Sequence, residues 1–398
     1  MERMMVNRLL AAAQPPPAAA KTAPTPAAPA PIDIHATGNS VDDLPSATLR
    51  QRISGLDLGH PTFLKTVGIM ELAGTAIGAV GGALVGHPAL GAAIGAATAG
   101  VVLAGYGIYA GRTGANQLEH PEKWNPDTSP AFKTLHVDPP PSTAAHAETP
   151  ADLGWAYQDI SFSSHGTPLQ GWYVPCATHT DKTVIFLQGH GDDKRKFLAR
   201  HGAILHEKYN LVAFDLRNQG QSGGTTTTMG FYERDDMLAA IEYAKTSLGA
   251  TKIGIMGLSM GGATVLEAAA ASPDVKAVIS DSPYASVADQ VADVAGVRGY
   301  PLSKYVGWAA SAKIGWDVGH PLAPRDPINA VPTMTQPLLL IHGDADDYVL
   351  PQHSERLSAA RPANTTRWVV PGARHVQNDL VAGAEYKQRV QDFFDKNL

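Results

Sequence analysis

Five residues, Gly257-Leu258-Ser259-Met260-Gly261, stand between a strand-like run, Lys252–Met256, and an Ala-rich helical run, Gly261–Ala271. A chain that passes from strand to helix through so short a Gly-X-Ser-X-Gly bend has few conformations open to it. The bend forces strained dihedrals on the serine, and the flanking glycines keep side chains from colliding. The hydroxyl then stands above the end of a sheet. The helix N-terminus adds positive potential and unpaired amides there. The competing reading is a Gly-rich turn with an inert serine, and the strand-to-helix setting argues against it.

The surrounding pattern fits such a bend. Strand-like stretches at Ala156–Ser163 and Leu169–Pro175 are separated by the turn signal His165-Gly166-Thr167. Apolar strands then alternate with helices. Strands are expected at Thr183–Gln188, Leu211–Asp215, Lys252–Met256, Val275–Ser280, Pro337–His342 and Arg367–Val370. Helices are expected at Phe197–Lys208, Arg234–Leu248, Gly261–Ala271 and Ala382–Lys396. This rhythm predicts an α/β fold with a doubly wound, mainly parallel sheet. Residues 285–334 interrupt it and read as a small helical lid.

A serine hydroxyl is a weak nucleophile and needs a base. Beyond Ser259 the candidates are His320, His342, His353 and His375. His375 follows the last strand across Pro371-Gly372-Ala373-Arg374 and precedes the last helix, which suits a base reaching the top of the sheet. His342 ends a buried strand and reads as structural; His353 opens a helix. The acid that holds the imidazole tautomer should follow the preceding strand, in Gly343-Asp344-Ala345-Asp346-Asp347. Asp346 is favoured, with Asp344 and Asp347 as alternatives. Backbone donors for an oxyanion are expected from the amides of Met260 and of His190, in the loop Gln188-Gly189-His190-Gly191. That Gly-rich loop lacks the Lys-Ser/Thr pair of a phosphate cradle.

Composition narrows the partners. The net charge is −6 with no long basic block, so nucleic acid binding gets no support. Cys176 is the single cysteine, which excludes an intrachain disulfide and a Cys-rich zinc pattern. No metal or organic cofactor is required by the chemistry.

The first third of the chain has a different texture. Only 17% of all residues are charged, against about 25% in ordinary soluble domains, and the deficit falls largely before residue 150. Residues 1–60, with the Ala/Pro tract Pro15–Pro31, read as a disordered tether. The Leu9–Ala13 run is too short for the apolar core of a signal peptide. Residues 61–112 read as a helical hairpin broken at His87-Pro88. Val67–Gly86 carries one charge, Glu71, and Ala89–Gly111 carries none. Either run has the roughly 20 residues needed to cross a bilayer. Gly74, Gly78, Gly82 and Gly86, then Gly91 and Gly95, recur at four-residue spacing and would let helices approach closely. This predicts membrane association with the C-terminal domain on the cytoplasmic side. The alternative is a soluble Ala/Gly-rich helical pair packed on that domain. Residues 113–153 read as a linker.

Residues 154–398 resemble the α/β-hydrolase superfamily, and within it the serine-aminopeptidase-like and Bem46-like hydrolases. The resemblance rests on Asp159-Ile160-Ser161-Phe162, Leu169-Gln170-Gly171-Trp172, Asp215–Ser222, Gly230-Phe231-Tyr232-Glu233, Gly257–Gly261, Asp281-Ser282-Pro283 and His342-Gly343 followed by Asp346. It implies a triad of Ser259, Asp346 and His375. One departure is Gln188-Gly189, where relatives usually carry His-Gly. The resemblance implies cleavage of ester or thioester bonds of an acyl substrate. Two alternatives are a peptidase or amidase with the same triad, and a non-catalytic scaffold. The lid aromatics Tyr300, Tyr305, Trp308 and Trp316 suggest an apolar acyl or aryl pocket, with simple packing as the other reading.

Overall fold

Side chains along the central strands alternate between two apolar faces, and both faces are covered. Ile185 and Leu187 join one buried cluster with Val212, Phe214 and Ile255. Val184 and Phe186 join the other with Leu211, Ala213, Met256 and Leu258. A strand with no polar face must lie inside a helix–sheet–helix sandwich. The computed structural model describes residues 87–121, 147–178, 180–297 and 302–398.

The strands are β1 (Gln158–Ser164), β2 (Thr167–Val174), β3 (Lys182–Leu187), β4 (Asn210–Phe214), β5 (Lys252–Leu258), β6 (Val275–Asp281), β7 (Leu338–Gly343) and β8 (Thr365–Val370). They form one eight-stranded sheet in the order β1-β2-β4-β3-β5-β6-β7-β8. The hairpin β1–β2 and the β2–β4 pair are antiparallel. From β4 to β8 all neighbours are parallel. The sheet is therefore doubly wound and mainly parallel, as the alternating pattern predicts. Such sheets place their functional loops beyond the carboxyl ends of the strands.

The main helices are α1 (Pro88–Glu119), α2 (Glu233–Thr246), α3 (Met260–Ala271), α4 (Val287–Val297), α5 (Ser303–Val318), α6 (Gln352–Ala360) and α7 (Ala384–Asn397). The lid consists of α4, α5 and the short turns that follow them. The helix expected at Phe197–Lys208 is broken instead. It begins earlier, at Lys194, widens into a π-type turn at Leu198–Gly202, and ends at Leu205. Gly202 faces Trp155, where an added Cβ would come within 3.1 Å of the ring, and this close approach accompanies the irregular turn.

The largest departure concerns α1. Pro88 opens it in the first-turn position, where a missing N–H costs nothing. It then runs on to Glu119, through residues expected to be linker. The other arm of the expected hairpin, Val67–Gly86, lies outside the described residues, as does the tract 1–60. The C-terminal half of α1 packs along α5. An added Cβ at Gly111 would lie 2.6 Å from the Ala309 side chain, and one at Gly107 would collide with the Tyr305 ring. Ala115 is fully buried, and the buried Glu119 pairs with Lys313. Positions 107, 111, 115 and 119 share one helical face, and 305, 309 and 313 share another. Small residues therefore let two backbones close up, and an ion pair locks the end of the seam. The same four-residue logic was read into Gly91 and Gly95, but the seam uses Gly107, Gly111 and Ala115.

The end of α1 is bolted to the sheet domain by consecutive residues. The Leu118 carbonyl accepts from His190 Nε2 at 2.6 Å. The Glu119 carbonyl accepts from the Thr227 amide at 2.8 Å and from Asn218 Nδ2 at 3.1 Å. His120 Nδ1 lies 3.0 Å from the Thr225 carbonyl and donates to it.

Gly111→Leu should overpack this seam and lower stability by about 1–3 kcal/mol. Gly105→Ala, where an added Cβ meets nothing within 4 Å, should be neutral or raise stability by up to about 1 kcal/mol. Denaturant midpoints of the two variants check this. Equal midpoints would contradict the packing described.

Candidate active site

Ser259 sits where β5 ends and α3 begins, with φ 56° and ψ −119°. Glycine adopts positive φ without penalty, but a serine is held there only by its surroundings. Its amide donates to the Asp281 carbonyl of β6 at 2.9 Å, and its carbonyl accepts from Ala263 at 2.9 Å. The flanking glycines leave no choice of residue. A Cβ at Gly257 would fall on the Gly261 carbonyl, and one at Gly261 would fall on the carbonyls of Leu187 and Gln188. The bend is thus pressed directly against the end of β3.

Three loops bring the other groups to Ser259. His375, after β8, places Nε2 2.8 Å from Ser259 Oγ. Its Nδ1 lies 2.8 Å from Asp346 Oδ2, after β7. An ionised carboxylate only accepts, so Nδ1 carries the proton and Nε2 is left to accept from the hydroxyl. Asp346 is buried, and its Oδ1 accepts from the amides of Tyr348 at 3.0 Å and Val349 at 2.8 Å. Burial pushes this carboxyl up, but His375 and His342 outweigh it and hold the pKa well below the usual carboxylate range. The Tyr348 ring packs against the imidazole, with centroids 5.0 Å apart.

The unchosen candidates have other roles. Asp344 accepts from the Gly372 amide at 2.6 Å, and the exposed Asp347 faces Arg374 at 3.8 Å. His342 is fully buried; its Nε2 donates to the Val349 carbonyl at 2.8 Å and lies 3.3 Å from Asp346 Oδ2. It therefore steadies the acid from behind. His353 accepts from the Ala285 amide at 3.1 Å and faces Asp293 at 3.2 Å. His320 stacks on Phe231, at a centroid distance of 5.8 Å.

The loop after β3 passes close to the serine. A Cβ at Gly189 would come within 3.4 Å of Ser259 Cβ. His190 and Met260 both border the same cavity as Ser259. The Met260 amide is the first of α3, where no intrahelical acceptor exists. The His190 ring points away, to the Leu118 carbonyl. Desolvation lowers its pKa, consistent with a neutral ring that donates from Nε2. Gln188 is buried and bridges two strand ends. With its amide oriented to suit both neighbours, it donates to the Phe214 carbonyl at 2.9 Å and accepts from the Leu216 amide at 3.0 Å. A glutamine in place of histidine here serves the sheet rather than the reacting atoms.

A network that sequence spacing did not reveal holds the His375 loop. Ser282 Oγ receives the Val376 amide at 3.4 Å and donates to Asp281 Oδ1 at 2.8 Å. Asn378 Nδ2 and Tyr386 Oη donate to the same carboxylate at 2.7 and 2.8 Å. Arg200 donates to the Val376 carbonyl at 2.7 Å and pairs with Asp379. The motif Asp281-Ser282-Pro283 was visible, but its partners lie some hundred residues away along the chain.

The cavity above Ser259 has a volume of about 400 Å³. Of the expected lid aromatics, Tyr305, Trp308 and Trp316 do not border it: Tyr305 stacks on Trp308 and Trp316 is half exposed, while Tyr300 lies outside the described residues. Its aromatic walls are Tyr106, Tyr109, Tyr284 and Tyr348. Among the described residues no cluster of His, Cys, Asp and Glu could hold a metal ion.

Comparison with known proteins agrees with this architecture. The family described as "alpha/beta hydrolase fold" matches residues 182–298. The Bacillus subtilis protein YqkD is 28% identical over 58% of this chain and 77% of its own length. The Arabidopsis thaliana alpha/beta hydrolase domain-containing protein WAV2 is 26% identical over 62% of this chain and 82% of its own. Among solved structures, the Pyrococcus furiosus esterase Pf2001 is 26% identical, with a TM-score of 0.53, over 66% of this chain and 98% of that one. Its sheet order, its strained serine bend and these similarities give the chain the α/β-hydrolase fold.

Proposed function

We propose that this hydrolase cleaves carboxylic ester or thioester bonds through an acyl-enzyme on Ser259. The observation that carries the reading is the unbroken relay Ser259–His375–Asp346, with both links at 2.8 Å. Ser259 Oγ attacks the substrate carbonyl carbon while His375 Nε2 takes its proton. The ionised Asp346 stabilises the resulting imidazolium and keeps it aligned. The amides of His190 and Met260 meet the developing oxyanion. His375 then protonates the leaving alcohol or thiol, and the C–O or C–S bond breaks. Water, deprotonated by His375, attacks the acyl-enzyme and frees Ser259. The likeness to a solved esterase supports an ester substrate.

A fluorophosphonate should label the wild type and leave Ser259→Ala unlabelled. Ester turnover should fall by about 10⁶-fold in Ser259→Ala and by about 10⁴-fold in Asp346→Asn. Asp344→Asn and Asp347→Asn should stay within about twofold of wild type, as changes away from the relay do. Equal losses across the three aspartates would refute the choice of acid. Faster cleavage of aminoacyl anilides than of matched esters would move the assignment to a peptidase.

We further propose that the N-terminal part of α1 associates with a membrane. Ala92–Glu119 is a described segment long and apolar enough to cross one. Leu90, Ile94 and Ile108 are exposed and fall within about 40° of one another around the helix. Before Tyr106, none of the residues whose burial is described is buried. Pro88–Gly105 spans about 27 Å at 1.5 Å per residue, close to the roughly 30 Å of a hydrocarbon core. The paired change Ile94→Lys and Ala97→Lys, both exposed and near the middle of that span, should release the protein from carbonate-washed membranes, since each charge costs about 2.5–3.5 kcal/mol at mid-helix. Wild-type protein found wholly in the soluble fraction would end this proposal.

A further inference from the structure

Helix α1 does more than precede the catalytic domain. Tyr106, Tyr109, Ala110, Thr113, Gly114 and Gln117 all border the cavity that opens on Ser259. Their spacings of three and four residues place them on one side of the helix. The adjoining face, at Gly107, Gly111 and Ala115, is packed on α5 or buried. Across the cavity stand Val291, Val294, Ala295 and Val306 of the lid. The Thr113 hydroxyl already donates to the Tyr109 carbonyl at 2.9 Å, and the Gln290 side-chain amide to the Tyr348 carbonyl at 2.8 Å. The space is therefore predominantly apolar, and its volume falls within the roughly 300–1,000 Å³ of small-molecule pockets. It touches the nucleophile and both residues named as oxyanion donors. The wall is fixed in place by the His190–Leu118 bond, which ties it to the oxyanion loop itself.

We propose that α1 is the specificity wall of the active site, and that the cavity it completes takes the aliphatic chain of a medium- or long-chain acyl ester. This rests on the acyl-enzyme reading above and names its substrate class. The acyl group stays bonded to Ser259 through both steps, whereas the alcohol leaves after the first. A pocket walled by fixed helices beside the nucleophile suits the part that remains. Each methylene buried there strengthens binding about fourfold, so reactivity should climb with chain length until the pocket is full.

Gly114 offers a direct test, because an added Cβ there meets no atom within 4 Å. A leucine at this helical position fills empty cavity rather than displacing backbone. The substrates are p-nitrophenyl esters from acetate to laurate, assayed on the full chain. Wild type should show kcat/KM rising with acyl length. Gly114→Leu should lower the laurate-to-butyrate ratio of kcat/KM by about tenfold or more, with fluorophosphonate labelling retained. Asn116→Ala, exposed on the same helix and outside the cavity, should keep the wild-type ratio. Ala110→Leu repeats the test from a second wall position, should Gly114→Leu lose its fold. A flat chain-length profile in wild type would overturn the proposal. So would an unchanged ratio in a wall variant that still labels, and either result leaves the acyl-enzyme reading standing. Absence of labelling in wild type would defeat the acyl-enzyme reading and this inference with it.

Discussion

The backbone at Ser259 is held at φ 56°, in a region where a residue with a side chain is strained by about 1–3 kcal/mol. The fold supplies that constraint through contacts on every side. Gly261 lies against the carbonyls at the end of β3, Gly257 lies against Gly261, and the Ser259 amide is tied to β6. Three parallel strands thus share responsibility for one dihedral angle. The strain lifts the hydroxyl clear of the sheet and points the first amide of α3 into the same space. In the proposed mechanism, nucleophile and electrophilic stabiliser are consequently products of a single bend.

The proposed base and acid, His375 and Asp346, depend on that bend but are positioned separately. β7 and β8 are neighbours, so the loops after them emerge side by side at the same sheet edge. Asp346 is anchored by two amides and backed by His342, which fixes the carboxylate before His375 meets it. The His375 loop is anchored from the other side by Ser282, Asp281, Asn378 and Arg200. Preorganisation of this kind means that, in the proposed reaction, few groups need to reorient when the substrate carbonyl arrives. The cost is a set of buried carboxylates. Burial pushes Asp281 upward, against the hydrogen bonds from Ser282, Tyr386 and Asn378 that favour its charged form.

Much of this was legible in the sequence where the signal is local. The alternation of short apolar strands with helices predicts the parallel sheet, and the Gly257–Gly261 bend predicts the position of Ser259. The order serine, aspartate, histidine follows from the strands each residue succeeds. What escaped was tertiary. Residues 113–119 read as linker because Thr113, Asn116 and Gln117 are polar, yet they continue a helix whose buried stripe is made of Gly107, Gly111 and Ala115. A stripe of such small residues produces little periodic hydrophobicity, so its partner α5 could not be inferred. The lid aromatics misled for a related reason. Tyr305 is spent on packing against Gly107 and Trp308, while the cavity draws its aromatic walls from α1 and from Tyr284 and Tyr348. Which side of a helix faces a pocket is decided by its neighbours, not by its own composition.

The account stands on a covalent bond between the acyl group and Ser259 Oγ. Acid-quenching the full-length protein within the first turnover of a p-nitrophenyl ester, followed by peptide mapping by mass spectrometry, reads that bond directly. The peptide containing Ser259 should carry the acyl mass, and the adduct should vanish as substrate is exhausted. Turnover with the adduct on another residue, or with none at any time point despite a burst of released p-nitrophenol, would contradict it.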